Sequence, residues 1–175
     1  MPETKIRRAR PGEAPTLSAI AFESKAHWRY SRAQLAAWRD DLAVAADTIS
    51  SCHAYVADVD ARPVGFFVLT PSSPHWELEH LWVLPRAMGR GVGRALLLHA
   101  TEIAAAGGAR AIRIDADPNA EPFYLACGAR LVGRRPAPIA ADALRERPQL
   151  LLRTRGLDCP SGKPVPGRLA VSTRR

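Results

Sequence analysis

The sequence predicts one mixed α/β domain. Three observations carry this. Short apolar or alternating runs rich in β-branched residues recur along the chain. Two other segments repeat their apolar residues at helical spacing. A glycine-rich turn near the middle joins the strongest strand to an amphipathic helix. With 175 residues, 47% hydrophobic and 24% charged, the chain has the balance of a globular protein with a single core.

The elements follow in order. Thr4–Ala9 reads as a first strand, broken by Pro11 and Gly12. From Glu13 to Ser24, Leu17, Ile20 and Ala21 recur at helical spacing. Ser31 caps a second helix over 32–42, carrying Leu35, Trp38 and Leu42. Ala54–Val59 alternates as a strand, and Ala61–Arg62–Pro63 turns the chain into the apolar run Val64–Leu69. Trp76–Leu84 is a third strong strand, closed by Pro85. The turn Gly89–Gly93 opens a helix to Ala106, with Val92, Leu96, His99 and Ile103 on one face, and Gly107–Gly108 ends it. Ala111–Asp115 is a strand, Pro118–Ala126 a short helix stopped by Gly128, and Ala129–Val132 and Pro148–Arg153 the last strands. Residues 1–155 form one domain, and 156–175, with prolines and glycines among basic residues, a flexible tail.

Charge excludes several classes. The formal net charge is +8, but residues 1–10 carry +3 and 153–175 carry +5, so the stretch between them is neutral. No apolar run approaches the 18 residues of a spanning helix, and no secretory leader is apparent. Cys52, Cys127 and Cys159 are odd in number and far apart. They suggest neither a disulfide framework nor a zinc site, and a reducing cytoplasm is the expected compartment. His75 and His80 share no metal-binding pattern, and no metal is expected.

The informative segment is Arg86–Ala87–Met88–Gly89–Arg90–Gly91–Val92–Gly93–Arg94–Ala95. Alternate glycines let the backbone bend tightly and approach a ligand. The first N–H groups of the helix lack intrahelical partners and, with its dipole, attract an anion. Arg90 and Arg94 add positive charge. The spacing is neither that of a P-loop nor of a dinucleotide fingerprint, and the ligand expected is phosphate-bearing. On the preceding strand, Glu77 and Glu79 are two apart and are expected on one face with Leu81 and Val83, with His80 pointing away. Either carboxylate is a candidate general base.

Glu77–Leu78–Glu79–His80–Leu81–Trp82–Val83–Leu84–Pro85, followed by Gly89–Arg90–Gly91–Val92–Gly93–Arg94–Ala95–Leu96–Leu97, resembles the acetyl-CoA signature of the GNAT N-acetyltransferases. Asp117–Pro118–Asn119–Ala120–Glu121–Pro122–Phe123–Tyr124, then Gly128–Ala129, is similar to a second segment of that family. Met88 stands where the family usually has Gln or Arg, and Gly128–Ala129 replaces Gly–Phe. The resemblance implies a central mixed, mostly antiparallel β-sheet of six to seven strands flanked by about four helices. It implies direct acetyl transfer from acetyl-CoA to a primary amine in a ternary complex. Cofactor contacts would fall on Leu81, Trp82, Val83, Met88, Gly89, Arg90, Gly91, Val92, Gly93, Arg94, Ala95, Asn119, Phe123 and Tyr124. A backbone N–H near Val83 would hold the thioester oxygen, Tyr124 would be the general acid, and Glu77 takes the place of a catalytic glutamate in some members. The connection Glu23–Tyr30 would border the acceptor, with Glu23, His27, Trp28 and Tyr30 lining it and 136–147 opposite. The partner implied is a small-molecule or peptide amine, with no specific nucleic acid and no membrane, and dimers are common in the family. The competing readings are a GNAT-like acyl-CoA-binding module without catalysis, and a weak, non-specific nucleic-acid binder using its basic termini.

Overall fold

The computed structural model describes residues 4–154. The expected tail, 156–175, lies outside the described residues.

Seven strands form one sheet: β1 (Thr4–Arg8), β2 (His53–Val59), β3 (Arg62–Thr70), β4 (Trp76–Val83), β5 (Ala111–Asp115), β6 (Arg130–Pro136) and β7 (Glu146–Arg153). Their spatial order is β1-β2-β3-β4-β5-β7-β6. Every neighbouring pair is antiparallel except β4 and β5, which run parallel. The helices are α1 (Ala14–Ala26), α2 (Arg32–Ala37), α3 (Arg39–Leu42), α4 (Ala46–Ser51), α5 (Val92–Ala106) and α6 (Glu121–Ala126). This is the mixed, mostly antiparallel architecture expected.

Local chemistry explains the elements. In α1 the buried residues Leu17, Ile20, Ala21 and Ser24 repeat at the helical period, so one stripe faces the sheet. Ser31 caps α2, its hydroxyl accepting from the Gln34 N–H at 3.1 Å. The helix expected over 32–42 is interrupted at Trp38, whose ψ of 5° separates α2 from α3. No helix was expected over Ala46–Ser51. Only Ile49 of α4 is buried, so no apolar stripe announces it. The β2–β3 turn is Asp60–Ala61, both at positive φ, closed by the Val59–Arg62 pair. Arg62 and Pro63 therefore belong to β3, not to the turn.

β3 lies in the middle of the core. Phe66, Phe67, Val68 and Leu69 are all fully buried because both sheet faces are covered. Phe67 stacks on Tyr55 at 5.3 Å and approaches His99 of α5 at 6.2 Å. Phe66 lies against His80, centroids 6.0 Å apart, on the face that α1 crosses.

At the far end of α5, a Cβ on Gly107 would lie 2.2 Å from Cζ2 of the buried Trp76. Gly107→Ala is expected to destabilise the fold by about 1–3 kcal/mol through overpacking. A urea unfolding midpoint equal to that of the wild type would refute this close packing.

A bulge in β4 corrects the sequence reading. Val68 pairs with His80 but Leu69 pairs with Leu78, which leaves Glu79 as the extra residue. The alternation therefore slips. Glu77 shares a face with His80 and Trp82, while Leu81 and Val83 face α5. The expected common face of Glu77, Glu79, Leu81 and Val83 does not form, and His80 does not oppose Glu77.

Candidate active site

β4 and β5 pair only from Trp76 to Leu78, against Ile112 to Ile114. Beyond Leu78 the strands separate, and among the described residues β4 has no strand partner on that side. A cavity of about 410 Å³ opens there. Leu81, Trp82 and Val83 of β4 form one wall, the turn from Met88 to Arg94 another, and Asn119, Phe123 and Tyr124 a third. Ser24 and Trp28 close the end nearest α1.

Backbone donors face this space. The Leu84 N–H donates to Val64 O at 2.8 Å on the β3 side. Successive N–H groups of a strand alternate in direction, so the Val83 N–H points to the open side. Gly91, at φ 82°, is the N-cap of α5 and has no side-chain capping bond. The first N–H groups of this 15-residue helix thus remain available to an anion. Gly89 is also left-handed, at φ 72°. A Cβ on either residue would meet no protein atom within 4 Å, so the room in front of this backbone belongs to the cavity. At Gly93 a Cβ would come within 3.3 Å of Phe123, which explains glycine where α5 meets α6. These features fit a pyrophosphate-bearing, extended ligand such as coenzyme A.

Tyr124 is buried within its helix and lines the cavity. Burial, with the Cys127 thiol beside it, pushes its phenol well above the usual tyrosine value. It stays protonated at neutral pH and is able to donate. Cys127 lines the same cavity, and burial raises its thiol too. Next to the cavity wall, Trp82 Nε1 donates to His80 Nδ1 at 3.1 Å. Burial pushes the His80 pKa down to about 4, so the ring is neutral.

The end of the cavity rests on a polar cluster that the sequence did not announce. Asp117 lines the cavity and is itself buried. Its carboxylate accepts from Lys25 Nζ, from the Tyr30 hydroxyl at 2.9 Å and from Arg145 at 3.3 Å. It also caps the turn Pro118–Ala120, accepting from the Asn119 N–H at 2.9 Å. Lys25 and Arg145 are buried in turn, Lys25 lying 4.3 Å and Arg145 5.3 Å from the Trp38 ring. Burial pulls the Asp117 carboxyl up, but the Lys25 charge and the hydrogen bonds outweigh it and hold the group below its usual value. Burial lowers Lys25 more than Asp117 restores it. One carboxylate thereby ties α1, the α1–α2 connection and the β6–β7 connection to the segment that carries Tyr124.

Not every expected site residue reaches the cavity. Leu81, Trp82, Val83, Met88, Gly89, Gly91, Gly93, Arg94, Asn119, Phe123 and Tyr124 line it. Arg90 and Val92 instead line a separate cavity with Arg62 and Arg86, on the other side of the turn. Ala95 lines neither. Glu77 pairs with Arg113 at 3.3 Å, Glu79 is exposed at the bulge, and neither lines the cavity. Of the four acceptor candidates Trp28 lines it and Tyr30 joins the Asp117 cluster, whereas Glu23 and His27 are exposed outside it. Among the described residues no group of three or more His, Cys, Asp or Glu could hold a metal, and no helix is long and apolar enough to cross a membrane.

A family model described as the acetyltransferase (GNAT) family matches residues 17–129. The chain belongs to the GNAT family. Solved structures agree with this fold. A GCN5-related N-acetyltransferase from Rhodopseudomonas palustris, also described as an aminotransferase of class II, is 27% identical, with a TM-score of 0.73 over 87% of this chain and 98% of that one. The apo form of YjaB from Escherichia coli is 26% identical, with a TM-score of 0.62 over 88% and 99%. PaiA N-acetyltransferase from Thermoplasma acidophilum, solved in complex with coenzyme A, is 19% identical, with a TM-score of 0.65 over 86% and 99%, a likeness of fold alone. No curated protein matches the chain. This GNAT domain is thus an acyltransferase by family, with its glycine turn and Tyr124 on one cavity.

Sequence reasoning missed Lys25, Asp117 and Arg145 as partners. Ninety-two residues separate Lys25 from Asp117 and 28 separate Asp117 from Arg145. No local spacing signals such a cluster. The one available hint was a lysine within the buried stripe of α1, one residue after Ser24.

Proposed function

We propose that this protein transfers an acetyl group from acetyl-CoA to a primary amine, by direct attack in the cavity between β4 and β5. The observation that carries this is the meeting of three things on one cavity: the uncapped start of α5, the outward Val83 N–H on an unpaired edge, and the protonated Tyr124. Bound acetyl-CoA would supply an activated acyl group on sulfur.

The chain's own groups do the rest. The N–H groups at the start of α5, with Arg94, hold the pyrophosphate. The free edge of β4 aligns the pantetheine arm as an added strand would. The Val83 N–H donates to the thioester oxygen, where negative charge develops during attack. The carbon–nitrogen bond forms, the carbon–sulfur bond breaks, and the Tyr124 hydroxyl gives its proton to the departing sulfur. The amine loses a proton in the same step. Glu79 reaches that proton only through water, because it stands outside the cavity lining.

Amine-dependent thiol release from acetyl-CoA, measured across a panel of small amines, amino acids and peptide amines, tests this reading. Release with at least one class is expected, accompanied by acetylation of the amine in the mass spectrum. Acetyl-CoA binding without release for any amine would support a non-catalytic acyl-CoA module instead. Glu79→Gln and Glu77→Gln assign the base. A pH–rate profile altered only by Glu79→Gln places it at the bulge, and profiles unchanged in both leave the amine proton to solvent.

A further inference from the structure

We propose that the arginine-rich sheet face of β5, β7 and β6 is a docking surface for the phosphate backbone of nucleic acid. It is independent of the acyl-transfer site. Paired residues share a face, and the register fixes which side chains do. Arg113, Arg153, Arg147, Arg135 and Arg130 all fall on the face opposite Ile112, Ile114, Leu150 and Leu152. Among the described residues, two carboxylates oppose them there. Glu77 pairs with Arg113 at 3.3 Å, and Asp115 pairs with Arg147 at 2.8 Å and with Arg135 at 2.5 Å. Arg130 and Arg153 keep no ion-pair partner among the described residues, and neither does Arg110 just before β5.

These three line one cavity of about 570 Å³ with His75, and no carboxylate among the described residues lines it. His75 Nδ1 is buried there with no hydrogen-bond partner. The cavity lies where α5 ends, whereas the acyl-transfer cavity lies where α5 begins. The helix between them is about 22 Å long at 1.5 Å per residue.

Charge selects the occupant. A second copy would bring the same surplus of arginines and be repelled. The residues after Arg153 carry Arg155, Lys163, Arg168, Arg174 and Arg175 against Asp158, a like charge that does not complement this face. A protein partner needs an apolar, aromatic centre. This face offers Ala111, Leu151 and Gly133 and no aromatic ring. What remains is a phosphate polyanion, whose oxygens match the guanidinium fork. With no stacking aromatic and no base-reading groups, binding is expected to ignore sequence and to weaken with salt.

Fluorescence anisotropy of a labelled oligonucleotide of about 20 nucleotides, with the full chain between about 50 and 200 mM salt, tests this. The triple variant Arg110→Gln, Arg130→Gln, Arg153→Gln changes only exposed side chains. It is expected to weaken binding about tenfold or more and to lower the log–log salt slope by about 2. A control triple, Lys5→Gln, Arg32→Gln and Arg62→Gln, removes the same charge elsewhere on the exposed surface and is expected to weaken it about twofold. Equal losses in the two triples would overturn the assignment and leave only general basicity. So would an absence of wild-type binding at low salt, or a polyglutamate peptide that displaces the oligonucleotide as well as unlabelled oligonucleotide does.

Discussion

Asp117→Ala is expected to lower the unfolding free energy by about 3–5 kcal/mol, the range for breaking a buried ion pair from one side. The change leaves Lys25 and Arg145 buried with no counter-charge, and strips the Tyr30 hydroxyl and the Asn119 N–H of an acceptor. Removing a surface carboxylate such as Glu102 would produce no comparable loss. The matched variant Lys25→Met keeps Asp117 paired with Arg145 and Tyr30 and is expected to be milder. Chemical denaturation of both variants checks the ranking, and a loss below about 1 kcal/mol for Asp117→Ala would contradict the cluster described.

The same pair sets an acid limit. Asp117 is held below its unfolded value, so between the two values the unfolded chain binds the extra proton. The stability it contributes is complete above the ordinary carboxylate range and is lost as pH falls through the lowered folded value. Lys25 is lowered as well, and its contribution to stability rises as pH climbs from its folded toward its unfolded value. Stability is therefore expected to fall steeply on acidification below about pH 4, and Asp117→Asn should flatten that slope.

Tyr124→Phe carries the second large effect. Loss of a positioned general acid is expected to lower kcat by about 100-fold or more, while acetyl-CoA affinity changes less than about threefold. The ring still fills its place against Phe123, at 5.1 Å, and only the hydroxyl is lost. Because burial raises the phenol well above neutrality, no fall in wild-type kcat from Tyr124 ionisation is expected between about pH 7 and 9. Equal losses of kcat and of acetyl-CoA affinity would show that Tyr124 shapes the cavity and does not donate a proton.

How much was legible in the sequence follows from which interactions are local. Strands announced themselves because burial alternates or runs continuously in them, as in Val64–Leu69. The glycine turn was legible because positive φ at Gly89 and Gly91 demands glycine and the helix that follows is strongly amphipathic. The bulge at Glu79 was not. Nothing in Trp76–Val83 marks one residue as extra, and the slip arises from pairing with β3. That slip moved Glu77 with its strand's register, while Arg90, outside the strand, lines the separate cavity with Arg62 and Arg86. The expected acceptor border named Glu23, His27, Trp28 and Tyr30 with 136–147 opposite, and of these only Trp28 lines the cavity while Tyr30 joins the Asp117 cluster. Lys25 and Asp117 went unread because they are 92 residues apart and meet only in the folded chain.

The central claim is that acetyl-CoA occupies the cavity between β4 and β5, against the start of α5. Calorimetric titration of acetyl-CoA into the wild type and into Gly91→Ala tests it most directly. Gly91 lines that cavity at φ 82° with open space before it, so a methyl group there strains the turn by about 1–2 kcal/mol and intrudes on the ligand. One site per chain is expected, weakened about tenfold or more by Gly91→Ala in a protein that remains folded. No saturable heat with the wild type, or equal affinity in the two proteins, would contradict the account.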